Sequence, residues 1–364
     1  MIFIRADANE RIGTGHVMRC MAIADALKQC GQQVCFLIAD EAASCLLNSR
    51  NQEYLVLHTD YTVMEEELPA LRQLFREKKP DFFLADSYFA TPAYFREVRK
   101  YVPVGLLDDK VLAGYPVDLL INYNIFASSS LYGAAGKTGT RYLLGPGYVP
   151  LRKEFTGVDY TVRERAERVL ITTGGSDKYN LGVKLLERAL AGTNTADLQY
   201  TIVSGAYNAY YGELQELAGR YTNVRVCSNV GNMWELMRES DLAVSAGGST
   251  MYELSAVGVP VICFSFVDNQ ERIVRGFAER ELVCFGGDYL VQGEAMTEEI
   301  VFHMEKLAAD FQLRKSYSQK LKKLVDGLGA RRLAQALTEM CRAGDMGAGD
   351  AKEGGPLLTE GEEK

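Results

Sequence analysis

Histidine and tryptophan are scarce in this sequence, with three histidines and one tryptophan among 364 residues. The eight cysteines are scattered, and no two of them form a C-x-x-C pair. This spacing argues against a zinc site or a disulfide framework, so we expect reduced, mostly buried thiols. No apolar run approaches the roughly 20 residues that a membrane-spanning helix needs, and the first residues do not resemble a signal peptide. These absences predict a cytoplasmic protein without a membrane partner.

An excess of basic residues is also lacking. The formal net charge is −8 at pH 7, which argues against nucleic acid or an anionic membrane as a partner. Part of the negative charge lies in a glycine-rich, acidic segment over 343–364. We expect this tail to be disordered because it shows no apolar periodicity.

Short apolar runs alternate with amphipathic stretches through the rest of the chain. Seven runs of strand length precede a segment rich in glycine, proline and charge near 148–168, and a second series of five runs follows. This alternation is typical of parallel α/β layers. It predicts two Rossmann-like domains facing a cleft, over 1–150 and 165–342, the second with a helical extension. The oligomeric state stays open, but a cleft enzyme of this kind can work as a monomer, which we expect here. Several runs end in polar residues, where ligands of open α/β sheets collect: Asp7, Asp40, Asp86, Asp108, Asp109 and Asn122.

Two glycine-rich turns in the second half each follow a predicted strand and open a predicted helix. Glycine allows a ligand to approach the backbone closely, and a helix N-terminus suits a phosphate, although glycine also serves turn geometry alone. The sequence contains neither the Walker pattern nor G-x-G-x-x-G, which argues against a P-loop kinase and an ordinary dinucleotide dehydrogenase. The candidate ligand-binding residues of the two turns are Gly174, Gly175, Ser176, Gly248, Ser249 and Thr250.

Three further polar residues follow the second turn. Glu253 lies four residues after Ser249, where it could accept hydrogen bonds from a ribose diol or simply complement the helix dipole. Asn269 and Gln270 follow another predicted strand end. Their amides could bind hydroxyls or phosphate oxygens, or Asp268 or Asn269 could simply cap the next helix.

One histidine lies at a position where it could act as a general base. His16 lies in "RIGTGHVMRC", after Gly13 and Gly15 and at the start of the first predicted helix. A helix N-terminus disfavours imidazolium, and a neutral imidazole can take a proton from water. The same position also fits a residue that makes only a local hydrogen bond. We interpret His58 and His303 as structural.

Several short motifs occur in the same order as in one known family. The motifs are "RAD", "GTGHVMRC", "LADSY", "LLDD", "LLIN", "GPGYVPLRKEF", "TTGGSD", "AGGSTMYEL" and "DNQ", and they end near Leu282. Together they resemble the PseG family of UDP-sugar hydrolases of pseudaminic acid biosynthesis. The stretch that begins "SAGGSTMYEL" resembles the nucleotide-sugar motif of GT-B fold proteins related to the MurG glycosyltransferase. The residues after about 288 lie partly outside this resemblance.

The resemblance implies a reaction. Water activated by His16 would attack the anomeric carbon of UDP-2,4-diacetamido-2,4,6-trideoxy-β-L-altropyranose, and UDP would leave with inversion, without a metal or a cofactor. Gly248, Ser249 and Thr250 would stabilise charge on the β-phosphate. Candidates for the sugar pocket are Arg5, Asp7, Gly13, Gly15, Tyr88 and Asp109, together with Asn269 and Gln270.

Three other functions remain open at this point. A GT-B glycosyltransferase would move the sugar to an alcohol, and a UDP-N-acetylglucosamine 2-epimerase would use the same two-domain architecture. A nucleotide-sugar sensor would bind without turnover, and it would leave His16 without a role.

Overall fold

The computed structural model of the chain describes residues 1–111, 114–133, 139–205 and 207–349, with the backbone alone from 343 onward. These residues form two parallel β-sheets with helices on both faces. The predicted fold class, two Rossmann-like α/β units, is confirmed. All eight thiols are free and five of them are buried, as the scattered cysteines predict.

Seven strands form the first sheet in the described part of the chain. They are β1 (Ile2–Ala6), β2 (Val34–Ile38), β3 (Tyr54–Val56), β4 (Phe82–Asp86), β5 (Val104–Leu107), β6 (Leu119–Asn122) and β7 (Arg141–Leu144). Their order is β3-β2-β1-β4-β5-β6-β7, and every neighbouring pair is parallel. The helices of this half are α1 (Gly15–Gln29), α2 (Ser44–Ser49), α3 (Leu68–Lys78) and α4 (Pro92–Val98).

Six strands form the second sheet within the same described ranges. They are β8 (Arg168–Thr172), β9 (Gln199–Ser204), β10 (Val224–Ser228), β11 (Leu242–Ala246), β12 (Val261–Ser265) and β13 (Cys284–Asp288), in the order β10-β9-β8-β11-β12-β13. All pairs are again parallel. The helices that follow are α5 (Leu181–Ala191), α6 (Tyr211–Arg220), α7 (Met233–Glu239), α8 (Ser249–Val257), α9 (Asp268–Ala278), α10 (Tyr289–Gln292), α11 (Ala295–Ala309), α12 (Phe311–Leu324) and α13 (Gly329–Gly349).

Strand β1 shows how the sequence pattern determines the two faces of the first sheet. Successive side chains of a strand point to opposite faces. Ile2, Ile4 and Ala6 therefore pack in the core layer under α1, whereas Phe3 packs in the layer under α3 and α4. The layer under α1 continues across the molecule to α8, so one apolar core joins the two halves.

The last helix departs from the predicted organisation. Helix α13 leaves the second sheet and packs against α1 of the first. Leu333 and Leu337 of α13 are fully buried in the core layer under α1. Residues 329–342, predicted with the second domain, therefore lie against the first sheet.

The chain thus passes between the two halves twice, and the two crossings touch. Thr156, in the first crossing, donates its hydroxyl hydrogen to the carbonyl oxygen of Gly327, in the second, over 2.8 Å. A Cβ atom on Gly327 would lie 2.6 Å from the backbone oxygen of Phe155, so only glycine fits this contact. The two crossings are therefore packed against each other.

The predicted tail over 343–364 lies largely outside the described residues. The backbone of 343–349 continues α13, and 350–364 are not described. Within the described ranges, none of the helices is both long and apolar enough to cross a membrane.

Candidate active site

A cavity of about 530 Å³ opens between the two sheets, at the carboxyl ends of their strands. In the first sheet the strand order reverses between β1 and β4, and ligands of open α/β sheets bind at such a switch point. The first crossing and the first turns of α8 and α9 complete the wall. The predicted site residues on this wall are Gly15, Tyr88, Asp109, Gly248, Ser249, Glu253, Asn269 and Gln270.

His16 is the second residue of α1 and is almost fully buried next to this cavity. Its Nδ1 lies 2.6 Å from Oδ1 of Asp86, the last residue of β4. Burial opposes ionisation of Asp86, but Arg19 and His16 outweigh it and hold the pKa of that carboxyl well below its usual range. An ionised carboxylate only accepts hydrogen bonds, so Nδ1 carries the hydrogen. In the neutral form of the ring, Nε2 is then the nitrogen with the free lone pair.

Arg19, one turn after His16 in α1, anchors this carboxylate. Its Nε and Nη2 donate to the two oxygens of Asp86, each over 2.5 Å. Its Nη1 donates to Oδ2 of Asp109 over 2.5 Å and to the hydroxyl of Tyr123 over 2.7 Å. Two parallel bonds to one carboxylate fix its plane as well as its position. Arg19 therefore holds Asp86 in the orientation that His16 needs.

Tyr88 packs against the group formed by His16, Asp86 and Arg19. Its ring meets the ring of His16 edge-on, with centroids 4.4 Å apart, and the ammonium of Lys110 lies 4.6 Å from its centroid. Burial, together with the nearby charge of Asp109, raises the pKa of Tyr88 to about 12. The phenol is therefore protonated at neutral pH, and its hydroxyl donates to Oδ2 of Asp109 over 3.5 Å.

The opposite wall is built on α8 and α9. Gly248 precedes α8 and Ser249 begins it, so the unpaired N–H groups of the first turn are at the cavity. Burial raises the pKa of Glu253 to about 7, and the cation of Arg152 opposes this only in part. Gln270 is held by a bond from the N–H of Phe266 to its Oε1 over 3.1 Å. This wall offers backbone donors, one cation and one carboxyl group.

The loop after β6 joins the two walls. The hydroxyl of Tyr252, in α8, accepts from the N–H of Ile125 over 3.0 Å and donates to Oδ1 of Asn124 over 3.3 Å. The Arg272 guanidinium lies 4.1 Å from the centroid of the Phe126 ring. The two halves are thus in direct polar contact at the base of the cavity.

Arg5 and Asp7, predicted for the sugar pocket, lie elsewhere. Arg5 points to the same face of the first sheet as Phe3, because both alternate with the residues under α1. There its Nε donates to Glu67 over 2.8 Å and its Nη1 to Asp7 over 2.5 Å. Asp7 also accepts from the N–H of Ala39. Both residues are buried away from the cavity wall, so this prediction is corrected to a structural role.

Five other predicted residues are also off the wall, and the buried side chain of His16 lies behind it rather than on it. Gly174, Gly175 and Ser176 form an exposed loop after β8, and Gly175 accepts a bond from the N–H of Tyr207. Gly13 closes a turn in which its N–H bonds to Asn9, with φ of +72°. Thr250 follows Ser249 in α8, but its side chain is not on the wall.

Several wall residues were missed by the sequence reasoning. Arg19 had a usable signal, because a helix after Gly15 places it on the same face as His16. Lys110 directly follows the predicted Asp109. Tyr123, Asn124, Arg152 and Tyr252 gave no local signal, since their roles depend on contacts distant in sequence. In the described residues, no three histidine, cysteine, aspartate or glutamate side chains are grouped to hold a metal ion.

Comparison with known proteins defines the architecture further. Residues 168–322 match the model of the Glycosyltransferase family 28 C-terminal domain. MurG of Acinetobacter baumannii has a TM-score of 0.65 to this chain at 15% identity, covering 93% of this chain and 99% of that one. The fold is the GT-B fold.

Two curated proteins extend the similarity into the first half of this GT-B chain. The spore coat polysaccharide biosynthesis protein SpsG of Bacillus subtilis is 25% identical over 352 residues, which cover 93% of this chain and 97% of that protein. The UDP-2,4-diacetamido-2,4,6-trideoxy-beta-L-altropyranose hydrolase of Campylobacter jejuni is 23% identical over 280 residues, covering 77% and 96%. The similarity therefore includes both walls of the cavity.

Proposed function

We propose that this chain is an enzyme that hydrolyses a UDP-sugar, releasing UDP by attack of water on the anomeric carbon. The observation that carries the proposal is the arrangement of His16, Asp86 and Arg19 beside a cavity whose opposite wall is a helix N-terminus. One wall supplies a base, and the other supplies donors for a diphosphate.

The base side follows from the hydrogen bonds of His16. With Nδ1–H donated to Asp86, Nε2 is free to accept a proton from water. The Asp86 carboxylate then stabilises the imidazolium that forms. Because Arg19 already holds both oxygens of Asp86, little reorganisation is needed during the step.

The groups that would bind the leaving UDP lie mainly on α8. We place the diphosphate at Gly248, Ser249 and the backbone N–H of Thr250, and the ribose diol at Glu253. The cation of Arg152 lines the same cavity. As the bond between C1 and the β-phosphate oxygen breaks, its electron pair passes to that oxygen, where these donors stabilise the charge.

The stereochemistry follows from the two walls. Water enters from the His16 side, forms the new C1–O bond and loses a proton to Nε2, while UDP leaves toward α8. Attack and departure on opposite faces invert the anomeric centre. Asn269, Gln270, Tyr88 and Asp109 line the cavity, and we propose that they contact the sugar or the β-phosphate.

For the sugar itself we propose a 2,4-diacetamido-2,4,6-trideoxyhexose. The support is the similarity to the Campylobacter jejuni hydrolase, which covers 96% of that protein, together with the ordered motifs shared with its family. A monomeric enzyme working without a metal or a cofactor belongs to the same proposal.

The test is UDP release from UDP-2,4-diacetamido-2,4,6-trideoxy-β-L-altropyranose, with EDTA present and no acceptor alcohol. We expect release by the wild type, and a kcat lowered by about 10²–10⁴ in His16→Ala, the range for loss of a general base. UDP affinity should stay nearly unchanged, because His16 is bonded to Asp86 on the first-sheet side and not to α8. His303→Ala, in α11, is the matched control and should retain wild-type turnover.

A glycosyltransferase is the second candidate, favoured by the family 28 domain over 168–322. It would require an alcohol on the His16 side, whose proton Nε2 would accept in place of that of water. Release of UDP only after an alcohol is added would replace the hydrolase proposal with this one. Loss of UDP binding in His16→Ala would instead make His16 a binding or folding residue.

A further inference from the structure

Tyr252 occupies a distinctive position between the two walls of the cavity. It is the fourth residue of α8, so it lies on the same side of the helix as Ser249, three residues earlier. Both residues line the cavity, yet Tyr252 is fully buried. It therefore belongs to the proposed diphosphate helix and also reaches into the first half.

The first link from Tyr252 leads to the loop after β6. Its hydroxyl accepts from the N–H of Ile125 over 3.0 Å and donates its single hydrogen to Oδ1 of Asn124 over 3.3 Å. Nδ2 of Asn124 in turn donates to Oδ1 of Asp109 over 3.2 Å and to Oδ1 of Asn122 over 3.0 Å. The amide orientation of Asn124 is thus set by acceptors on one side and by Tyr252 on the other.

The second link leads from Asp109 to His16. Oδ2 of Asp109 accepts from Arg19 over 2.5 Å, and Arg19 holds both oxygens of Asp86. Asp86 accepts the hydrogen of Nδ1 of His16. Tyr252, Asn124, Asp109, Arg19, Asp86 and His16 form one continuous hydrogen-bonded chain across the cleft.

A shorter contact runs parallel to this chain. The ring of Tyr252 packs edge-on against the ring of Tyr123, with centroids 5.8 Å apart. The Tyr123 hydroxyl accepts from the same Nη1 of Arg19 that bonds to Asp109. Tyr252 is therefore connected to Arg19 in two ways, through Asn124 and Asp109 and through Tyr123.

We propose that Tyr252 is a positioning residue that couples occupation of the diphosphate site on α8 to the orientation of His16. The proposal rests on the proposed function for the ligand of α8 and for the role of His16. Leaving a buried polar group without its partner costs free energy. The residues of this hydrogen-bonded series therefore move together or not at all. Movement of α8 toward a bound diphosphate is thereby transmitted to Asn124, Arg19 and the imidazole.

The scarcity of histidine makes this coupling measurable without turnover. With only three histidines in the chain, the ¹⁵N spectrum of histidine-labelled protein is simple, and His16→Ala assigns the signal of interest. The probe is UDP alone. We expect UDP to shift the ring nitrogens of His16 in the wild type. In Tyr252→Phe we expect less than about half of that shift at saturation, with UDP affinity within about threefold.

Tyr200→Phe is the matched control, because it also removes one buried tyrosine hydroxyl from the second half. That hydroxyl bonds to the backbone oxygen of Thr195, outside the cavity. An equal His16 response in Tyr252→Phe and the wild type overturns the coupling and leaves the proposed function intact. An equal reduction in Tyr200→Phe overturns it as well. Failure of the wild type to bind UDP overturns both proposals.

Turnover provides a second test, with a variant that leaves Tyr252 in place. Asn124→Asp puts a carboxylate beside Asp109 and breaks the next link of the chain. We expect Tyr252→Phe and Asn124→Asp each to lower kcat by about 10-fold to 100-fold with KM within about threefold. The double variant should be no slower than the slower single variant, because both act on one path. Additive losses, or losses in KM alone, overturn the proposal even where a variant folds poorly.

Discussion

Glu253 is the residue whose protonation should be visible in the stability of the whole protein. Burial raises its pKa to about 7, whereas an unfolded glutamate titrates near pH 4.3. Between these values the folded chain holds a proton that the unfolded chain has released. The contribution of Glu253 to stability is therefore complete below about pH 4.5 and is lost as the pH rises through about 7.

Glu253→Gln removes this titration. We expect the variant to gain about 2 kcal/mol in free energy of unfolding relative to the wild type between pH 5 and pH 8. Urea titrations of both proteins across this range measure the difference. Glu187→Gln, at an exposed position of α5, is the control. A Glu253→Gln difference that does not change with pH would contradict the prediction.

At the scale of residues, the location of a site residue could be predicted from the sequence where a local pattern determines its position. Ser249 follows a strand and begins a helix, and the strand-to-helix rule predicted its place on the cavity wall. His16, the second residue of α1, is buried beside that wall. Arg5 was misplaced because a strand end alone does not tell which face a side chain takes. Tyr252 was missed because its partners, Asn124 and Ile125, are more than 120 residues away in sequence. No local pattern contains that contact.

At the scale of the elements, the turn between β11 and α8 contains two adjacent glycines with different roles, one in packing and one in binding. A Cβ on Gly247 would lie 2.4 Å from Cγ2 of Val274 and 3.0 Å from the backbone oxygen of Gln270, both in α9. A Cβ on Gly248 would meet nothing within 4 Å, and its φ of −157° suits any residue. Only Gly247 is required by packing.

We therefore expect different defects from the two alanine substitutions. Gly247→Ala should lower the free energy of unfolding by about 1–3 kcal/mol, because α9 must move away. Gly248→Ala should change it by less than about 1 kcal/mol and weaken UDP binding roughly tenfold or more, since its methyl group projects into the cavity. Thermal unfolding and calorimetric UDP titration measure the two effects. Equal stability of both variants would contradict this assignment.

The prediction of elements from the sequence succeeded for strands with strong apolar runs and failed for one weak strand. The twelve predicted apolar runs all contain a strand of the structure. Strand β13 was missed because its sequence, "CFGGD", contains two glycines, which are disfavoured in strands. It forms because Gly286 and Gly287 allow α11 and α10 to pack closely over it. The helices after residue 297 were predicted, but the return of α13 to the first sheet follows from tertiary packing alone.

For the molecule as a whole, the shared core predicts that the two halves unfold together. Leu337 of α13 is fully buried in the layer that continues from α1 to α8. Leu337→Ala should cost about 2–5 kcal/mol. The single tryptophan, Trp234 in α7, reports on the second half, on the other side of the cleft.

The unfolding midpoint from Trp234 fluorescence should fall in Leu337→Ala by the same amount as the midpoint from far-UV circular dichroism. Coincident transitions are the mark of one cooperative unit. A tryptophan midpoint that stays at the wild-type value while the dichroism curve separates into two steps would show that the halves unfold independently.

The two touching crossings also restrict how the halves can rotate. If one half rotates against the other, both crossings can stay in place only when the axis runs along the line where Phe155 meets Gly327. Sliding or twisting one half against the other would stretch one crossing relative to its neighbour. We therefore expect rotation about this line to be the easiest motion of one half relative to the other.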